Sequence, residues 1–162
     1  MANEPSLDEI ARWDRWFAVE MNNRGWELAE QAERTPEETE EMLHAAHAAA
    51  MHWARVGTDM NRARADMLLG QAHALSGNAS LALLYSRRSC EYLTAHDTPA
   101  WEIASVHAIL ANAAHIAGDR ALYAEQHVLA KRCGKGISDT AEREIFQQTF
   151  SRLPPLQIDP PA

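Results

Sequence analysis

The fold of this chain is decided by residues 64–82, which read RADMLLGQAHALSGNASLA. Alanine and leucine dominate the stretch as far as Leu75, and both residues favour helix. Gly77 then ends the helix, because glycine adopts the left-handed backbone that closes helix C-termini. Asn78 follows as a good N-cap. The stretch therefore predicts one helix, a tight turn and the start of a second helix.

A weaker copy of this pattern lies at residues 106–119, VHAILANAAHIAGD. Its Gly118-Asp119 pair comes 41 residues after Gly77-Asn78. Recurrence of one helical hairpin at a fixed distance is typical of proteins built by stacking such hairpins.

Helix-start signals extend the same architecture over the rest of the chain. Ser6 with Glu9 forms a capping box, and Thr35-Pro36 combines an N-cap with a proline at the first helical position. Further N-caps are predicted at Thr58, Asn78, Thr98, Asp119 and either Ser138 or Asp139. No segment has the pattern of a strand. We therefore expect an all-α, single-domain chain of about seven antiparallel helices. The helix pairs are predicted near 7–56, 58–95 and 99–133, with a capping helix at 138–152 and a proline-rich tail at 153–162.

Composition indicates which cellular compartment and which classes of partner to expect. No apolar run approaches the ~20 residues that cross a bilayer, and the first residues lack the pattern of a signal peptide. We therefore expect a cytoplasmic protein with no membrane partner. The net charge of −8 argues against nucleic acid as a partner. Cys90 and Cys133 show no metal-ligand spacing, so they are expected to be reduced, partly buried thiols.

The central hairpin resembles the tetratricopeptide repeat, a helix-turn-helix of 34 residues. Leu69-Gly70, Gly77 and Ala82 have the spacing of that family, whereas the copy around Gly118 matches it less well. The spacing of 41 residues is also near that of other helical-hairpin repeats of about 40 residues. The resemblance implies a right-handed superhelix of hairpins.

The resemblance also implies a site. In that family the first helix of each hairpin lines a concave groove that holds a peptide. The matching positions here include Arg64, Met67, Gln71, Ser105, Asn112 and His115. A clamp for a peptide C-terminal carboxylate is not expected, because such clamps use lysine and none lies at these positions.

The histidines suggest a metal site or a polar pocket as an alternative to the peptide groove. Glu40, His44 and His47 share one face of the second helix and are weak candidates for a metal site. His73, His107 and His115 lie on first helices and could face a shared pocket. The competing interpretation is that these histidines cap helices, bond between helices or face solvent, and no metal or other cofactor is expected.

Aromatic residues are dense in the first helix. Trp13, Trp16 and Phe17 fall on an apolar stripe, so burial in the core is the simplest interpretation. A terminal helix of a repeat stack can instead pack on another copy, which makes these residues interface candidates for a homodimer.

These patterns favour a non-enzymatic helical-repeat protein that binds an unidentified protein or peptide. The alternative is a helical protein with a metal- or small-molecule-binding histidine pocket, possibly catalytic. The two alternatives differ in whether several polar groups converge in one pocket.

Overall fold

The structure, a computed structural model, describes residues 4–156. Within that range the chain forms seven α-helices and no strand, which confirms the predicted all-α class. The helices are α1 Leu7–Ala29, α2 Pro36–Val56, α3 Asp59–Leu75, α4 Ala79–Ala95, α5 Ala100–Ile116, α6 Arg120–Lys135 and α7 Thr140–Phe150. None of the helices described here has the length and hydropathy needed to cross a membrane.

Most helices begin where the local cap signals place them. Ser6 and Thr35 each form a capping box, and the Asn78, Asp119 and Asp139 side chains each accept a backbone N–H of the following helix. The start of α5 differs, because Pro99 occupies the cap position and makes no side-chain cap hydrogen bond. The first helix ends at Ala29 rather than near residue 32.

The two glycine turns have the same geometry. Gly77 and Gly118 both have positive φ, +76° and +74°. In each turn the next residue donates its backbone N–H to a carbonyl five residues earlier, Asn78 to His73 and Asp119 to Ala114. This is the Schellman pattern of helix ends. The two turns that the sequence pattern paired therefore share one local geometry.

The helices pack in three consecutive pairs, α1 with α2, α3 with α4 and α5 with α6. The odd-numbered helices also pack side by side, α1 on α3, α3 on α5 and α5 on α7. No comparable packing joins α2 to α4 or α4 to α6 in the described part of the chain. The odd-numbered helices therefore form a continuous inner row, and the even-numbered ones lie further apart on the outside.

The core lies around α3 and α5, which are buried along most of their length. Small residues allow this close packing. A Cβ on Gly70 would lie 2.3 Å from Ser86 Oγ and 3.0 Å from Ser86 N, so α3 and α4 meet almost backbone to backbone. Gly134 of α6 likewise leaves space for the Phe146 ring of α7, because a Cβ at this position would overlap that ring.

Candidate functional site

The inner row of helices encloses a cavity of about 470 Å³. Four helices contribute to its wall: α1, α3, α5 and α7. The lining residues are Asn22, Trp26, Glu30, Arg64, Met67, Trp101, Glu102, Ser105, Ile109, Ile145 and Thr149. Helical spacing explains the set, because residues four apart share a face, as Asn22, Trp26 and Glu30 do on α1.

An ion pair crosses the cavity wall between α3 and α5. Arg64 donates from Nε and Nη2 to the two carboxylate oxygens of Glu102, both at 2.8 Å. The Glu102 side chain is only 5% exposed, whereas that of Arg64 is 41% exposed. This carboxylate raises the pKa of Arg64 and keeps it charged. Two of its five N–H groups bind Glu102, and the other three make no hydrogen bond to residues 4–156, so they can donate to a ligand.

Ser105 adds a second polar group to this wall. Its Oγ is buried and has no hydrogen-bond partner within residues 4–156. A buried hydroxyl without a partner is costly to the fold. Trp26 and Trp101 supply the large apolar surfaces that commonly hold ligands in such sites.

Arg152, which follows α7, binds the C-terminal end of α1. Its guanidinium donates to the carbonyl oxygens of Ala29, at 2.9 Å, and Glu30. Arg34 also donates to carbonyls at this end of α1, among them Leu28 O at 3.1 Å. Two cations thus satisfy the negative C-terminus of α1, and one of them joins α1 to the segment after α7.

The predicted groove residues divide between this cavity and other places. Arg64, Met67 and Ser105 line it. Gln71 is buried, and its Oε1 has no partner in the described structure. Asn112 is half-buried outside the lining, and His115 lies on a separate cavity of about 500 Å³ beside Pro154.

Sequence reasoning missed most of the other lining residues. No sequence pattern assigned Trp26 and Trp101 to a site, and none placed α7 on the inner row. Helical spacing was the one signal in the sequence for these residues. Ile145 and Thr149 are four apart and share a face of α7, as Trp101 and Ser105 do on α5. Glu102 was missed because its partner Arg64 lies 38 residues away on another helix.

The histidines form separate pairs with different partners. His47 Nε2 lies 3.1 Å from His73 Nε2, and Tyr85 stacks on the His73 ring. Burial, with a smaller contribution from His47, lowers the pKa of His73 and favours its neutral form. One N–H···N hydrogen bond between the two rings accounts for this contact. Glu40 and His44 are exposed on α2, and no cluster of three or more metal-ligating side chains occurs among residues 4–156.

A buried thiol also lies beside a histidine. Cys90 Sγ is 3.7 Å from His107 Nδ1, which is 2.7 Å from Gln126 Oε1. Burial raises the pKa of Cys90 to about 11, so the thiolate needed for nucleophilic attack is disfavoured near neutral pH. The arrangement therefore fits a packed polar contact better than a catalytic pair.

Comparison with known proteins assigns no family to this chain. The chain matches no protein-family model, no curated protein and no solved structure.

Proposed function

We propose that this protein is a non-enzymatic, tetratricopeptide-like binding module whose inner helices hold an extended peptide segment of a partner protein. The single observation that carries the proposal is the cavity itself, which is built by α1, α3, α5 and α7. The predicted groove positions Arg64, Met67 and Ser105 all line it. On the sequence evidence we place this binding module in the cytoplasm.

The cavity chemistry suits a peptide. Indole and aliphatic surfaces from Trp26, Trp101, Met67 and Ile109 would cover an apolar side chain. The Arg64 side chain is 41% exposed, and its remaining N–H groups would donate to a peptide carbonyl.

The matched test inserts bulk into the cavity without removing an existing polar contact. Thr149→Arg on α7 would fill part of the cavity, whereas Gln148→Arg adds the same side chain to an exposed neighbouring position outside the lining. Random dodecapeptides displayed on phage are selected against the parent protein, and the enriched peptides are titrated against all three proteins.

We expect Thr149→Arg to weaken peptide binding by at least about tenfold, which corresponds to about 1.4 kcal/mol, and Gln148→Arg to leave it unchanged. Selection of no peptide would contradict the proposal. Peptides that bind Thr149→Arg as well as they bind the parent would show that the cavity is not their site.

A small-molecule site is a second candidate, favoured by the size of the cavity. The volume of about 470 Å³ falls within the range of small-ligand pockets. If a fragment library raises the melting temperature of the parent and of Gln148→Arg but not of Thr149→Arg, and no dodecapeptide binds, this second candidate replaces the first.

A further inference from the structure

Four large apolar side chains of α1 form a continuous exposed surface, here called the aromatic face. Ile10, Trp13, Trp16 and Phe17 are 40%, 52%, 50% and 39% exposed. Their rings touch: the centroids of Trp13 and Trp16 are 6.2 Å apart, and those of Trp16 and Phe17 are 4.9 Å apart. The exposure is therefore one patch and not several scattered residues.

The patch has the size expected of an interface core. A half-exposed tryptophan leaves roughly 100 Å² open, so the four side chains present on the order of 400 Å². A stable interface buries about 800 Å² on each partner, of which somewhat more than half is apolar. The aromatic face can supply most of that apolar part, and the polar atoms around it can supply the remainder.

The aromatic face is held rigidly on α2. Asp14, on the buried side of α1, accepts hydrogen bonds from His52 at 2.6 Å and from Arg55 at 3.1 Å. The His52 ring stacks on Phe17 with centroids 5.4 Å apart. A surface fixed in this way loses little conformational entropy when a partner binds it.

The two ends of the helix stack differ. At one end, α7 exposes polar residues such as Glu144, Gln147 and Gln148. At the other end, α1 exposes Trp13 and Trp16. Terminal elements of helix stacks need a polar outer surface for solubility, and α7 meets this requirement whereas α1 does not.

We propose that a second copy of this chain covers the aromatic face, with α1 packed antiparallel to its counterpart about a twofold axis near Trp16 and Phe17. This axis sets Trp16 of each copy opposite Phe17 of the other, so the closely packed rings of the two copies meet at the centre of the interface. Charged side chains do not pair across it, because Arg24 already donates to Glu41 and Glu27 within its own chain, and Glu9 already closes the capping box with Ser6.

Sedimentation equilibrium of the full chain tests the proposal, because one copy has a mass of 18.1 kDa. We expect the parent protein at about 100 µM to sediment with twice that mass. Trp13→Glu combined with Trp16→Glu should weaken association at least 100-fold. Leu84→Glu combined with Val128→Glu is the matched control, because these residues of α4 and α6 are also about half exposed but lie away from α1. This control should leave the dimer intact, and circular dichroism confirms that each variant is helical.

A distance measurement tests the orientation of the helices. Leu7, which is 84% exposed near the start of α1, is replaced by cysteine and carries a nitroxide label in a background with Cys90→Ala and Cys133→Ala. At a rise of about 1.5 Å per residue, two such labels would be separated by about 28 Å along the helices in the antiparallel dimer and would lie side by side in a parallel one. A parent protein that sediments at 18.1 kDa overturns the proposal. So does an aromatic double variant that still dimerises, or a control that dissociates equally. Labels within about 15 Å of each other overturn the antiparallel arrangement.

Discussion

Gly70→Ala tests whether α3 and α4 meet as closely as the structure shows. The new Cβ would lie 2.3 Å from Ser86 Oγ and 3.2 Å from Ser86 Cα, and ordinary contact begins near 3.4 Å. Either α4 moves by about 1 Å or the contact stays compressed. Overpacking costs about 1–3 kcal/mol, and we take the upper end because backbone atoms of Ser86 cannot rotate away. Alanine in place of a helical glycine returns about 1 kcal/mol, which leaves a net loss of about 2 kcal/mol.

Urea unfolding followed by circular dichroism measures this loss, and the melting temperature should fall by about 4–8 °C. Ser86→Ala provides the matched background. Ser86 Oγ is buried without a partner in the described structure, so its removal should cost little. In that background Gly70→Ala loses its shortest contact, and the penalty should drop by about 1–2 kcal/mol.

Gly25→Ala is a milder comparison, because its new Cβ would meet the mobile end of the Leu68 side chain at 2.8 Å. A glycine-to-alanine change at a helical position with free space around it stabilises a protein by about 1 kcal/mol. If Gly70→Ala does the same, α3 and α4 do not approach as closely as described. A penalty that is unchanged in the Ser86→Ala background would contradict the assignment of the clash to Ser86.

Three further predictions concern other parts of the structure. Arg152→Ala should lower the free energy of unfolding by about 1 kcal/mol, because carbonyls at the end of α1 lose a charged donor, and urea denaturation measures this change. Cys90, whose pKa is raised to about 11 by burial, should react with iodoacetamide at pH 7.5 much more slowly than the half-buried Cys133, and mass spectrometry after timed quenching distinguishes the two thiols. The hydrogen bond from His52 lowers the pKa of Asp14 below its ordinary value of 3.8, so its contribution to stability is complete above that value and is lost as the pH falls through the lowered one. Asp14→Asn should therefore flatten the fall in stability at acidic pH, and parallel urea titrations from pH 7 down to about pH 2 would contradict this if the two profiles kept the same shape.

Local signals in the sequence predicted the helices well. Ser6, Thr35 and Asn78 act as caps through contacts with residues only three positions away, so their effect is visible in the sequence. Thr98 was an incorrect cap prediction, because α5 begins one residue later than proposed and Pro99 takes the cap position. The side-chain hydroxyl of Thr98 is instead buried without a partner in the residues described.

The site was only partly predictable, because its members meet through tertiary packing. The resemblance to the tetratricopeptide repeat placed Arg64 and Met67 on the inner face, and both line the cavity. The ion pair to Glu102 and the pairing of His47 with His73 join different helices, at separations of 38 and 26 residues. No local pattern sets such distances. The sequence also could not predict that the aromatic face is exposed, because an apolar stripe has the same sequence pattern whether it is buried or exposed.

Paramagnetic NMR tests the central claim, that the cavity between α1, α3, α5 and α7 is the binding site, most directly. A selected dodecapeptide carrying one nitroxide label is added to ¹⁵N-labelled protein, and the five indole N–H signals are assigned by single Trp→Phe variants. We predict strong broadening of Trp26 and Trp101, which line the cavity, and little effect on Trp13, Trp16 and Trp53, which do not. Broadening of Trp13 and Trp16 with Trp26 and Trp101 unaffected would place the peptide on the outer surface of α1 and contradict the account.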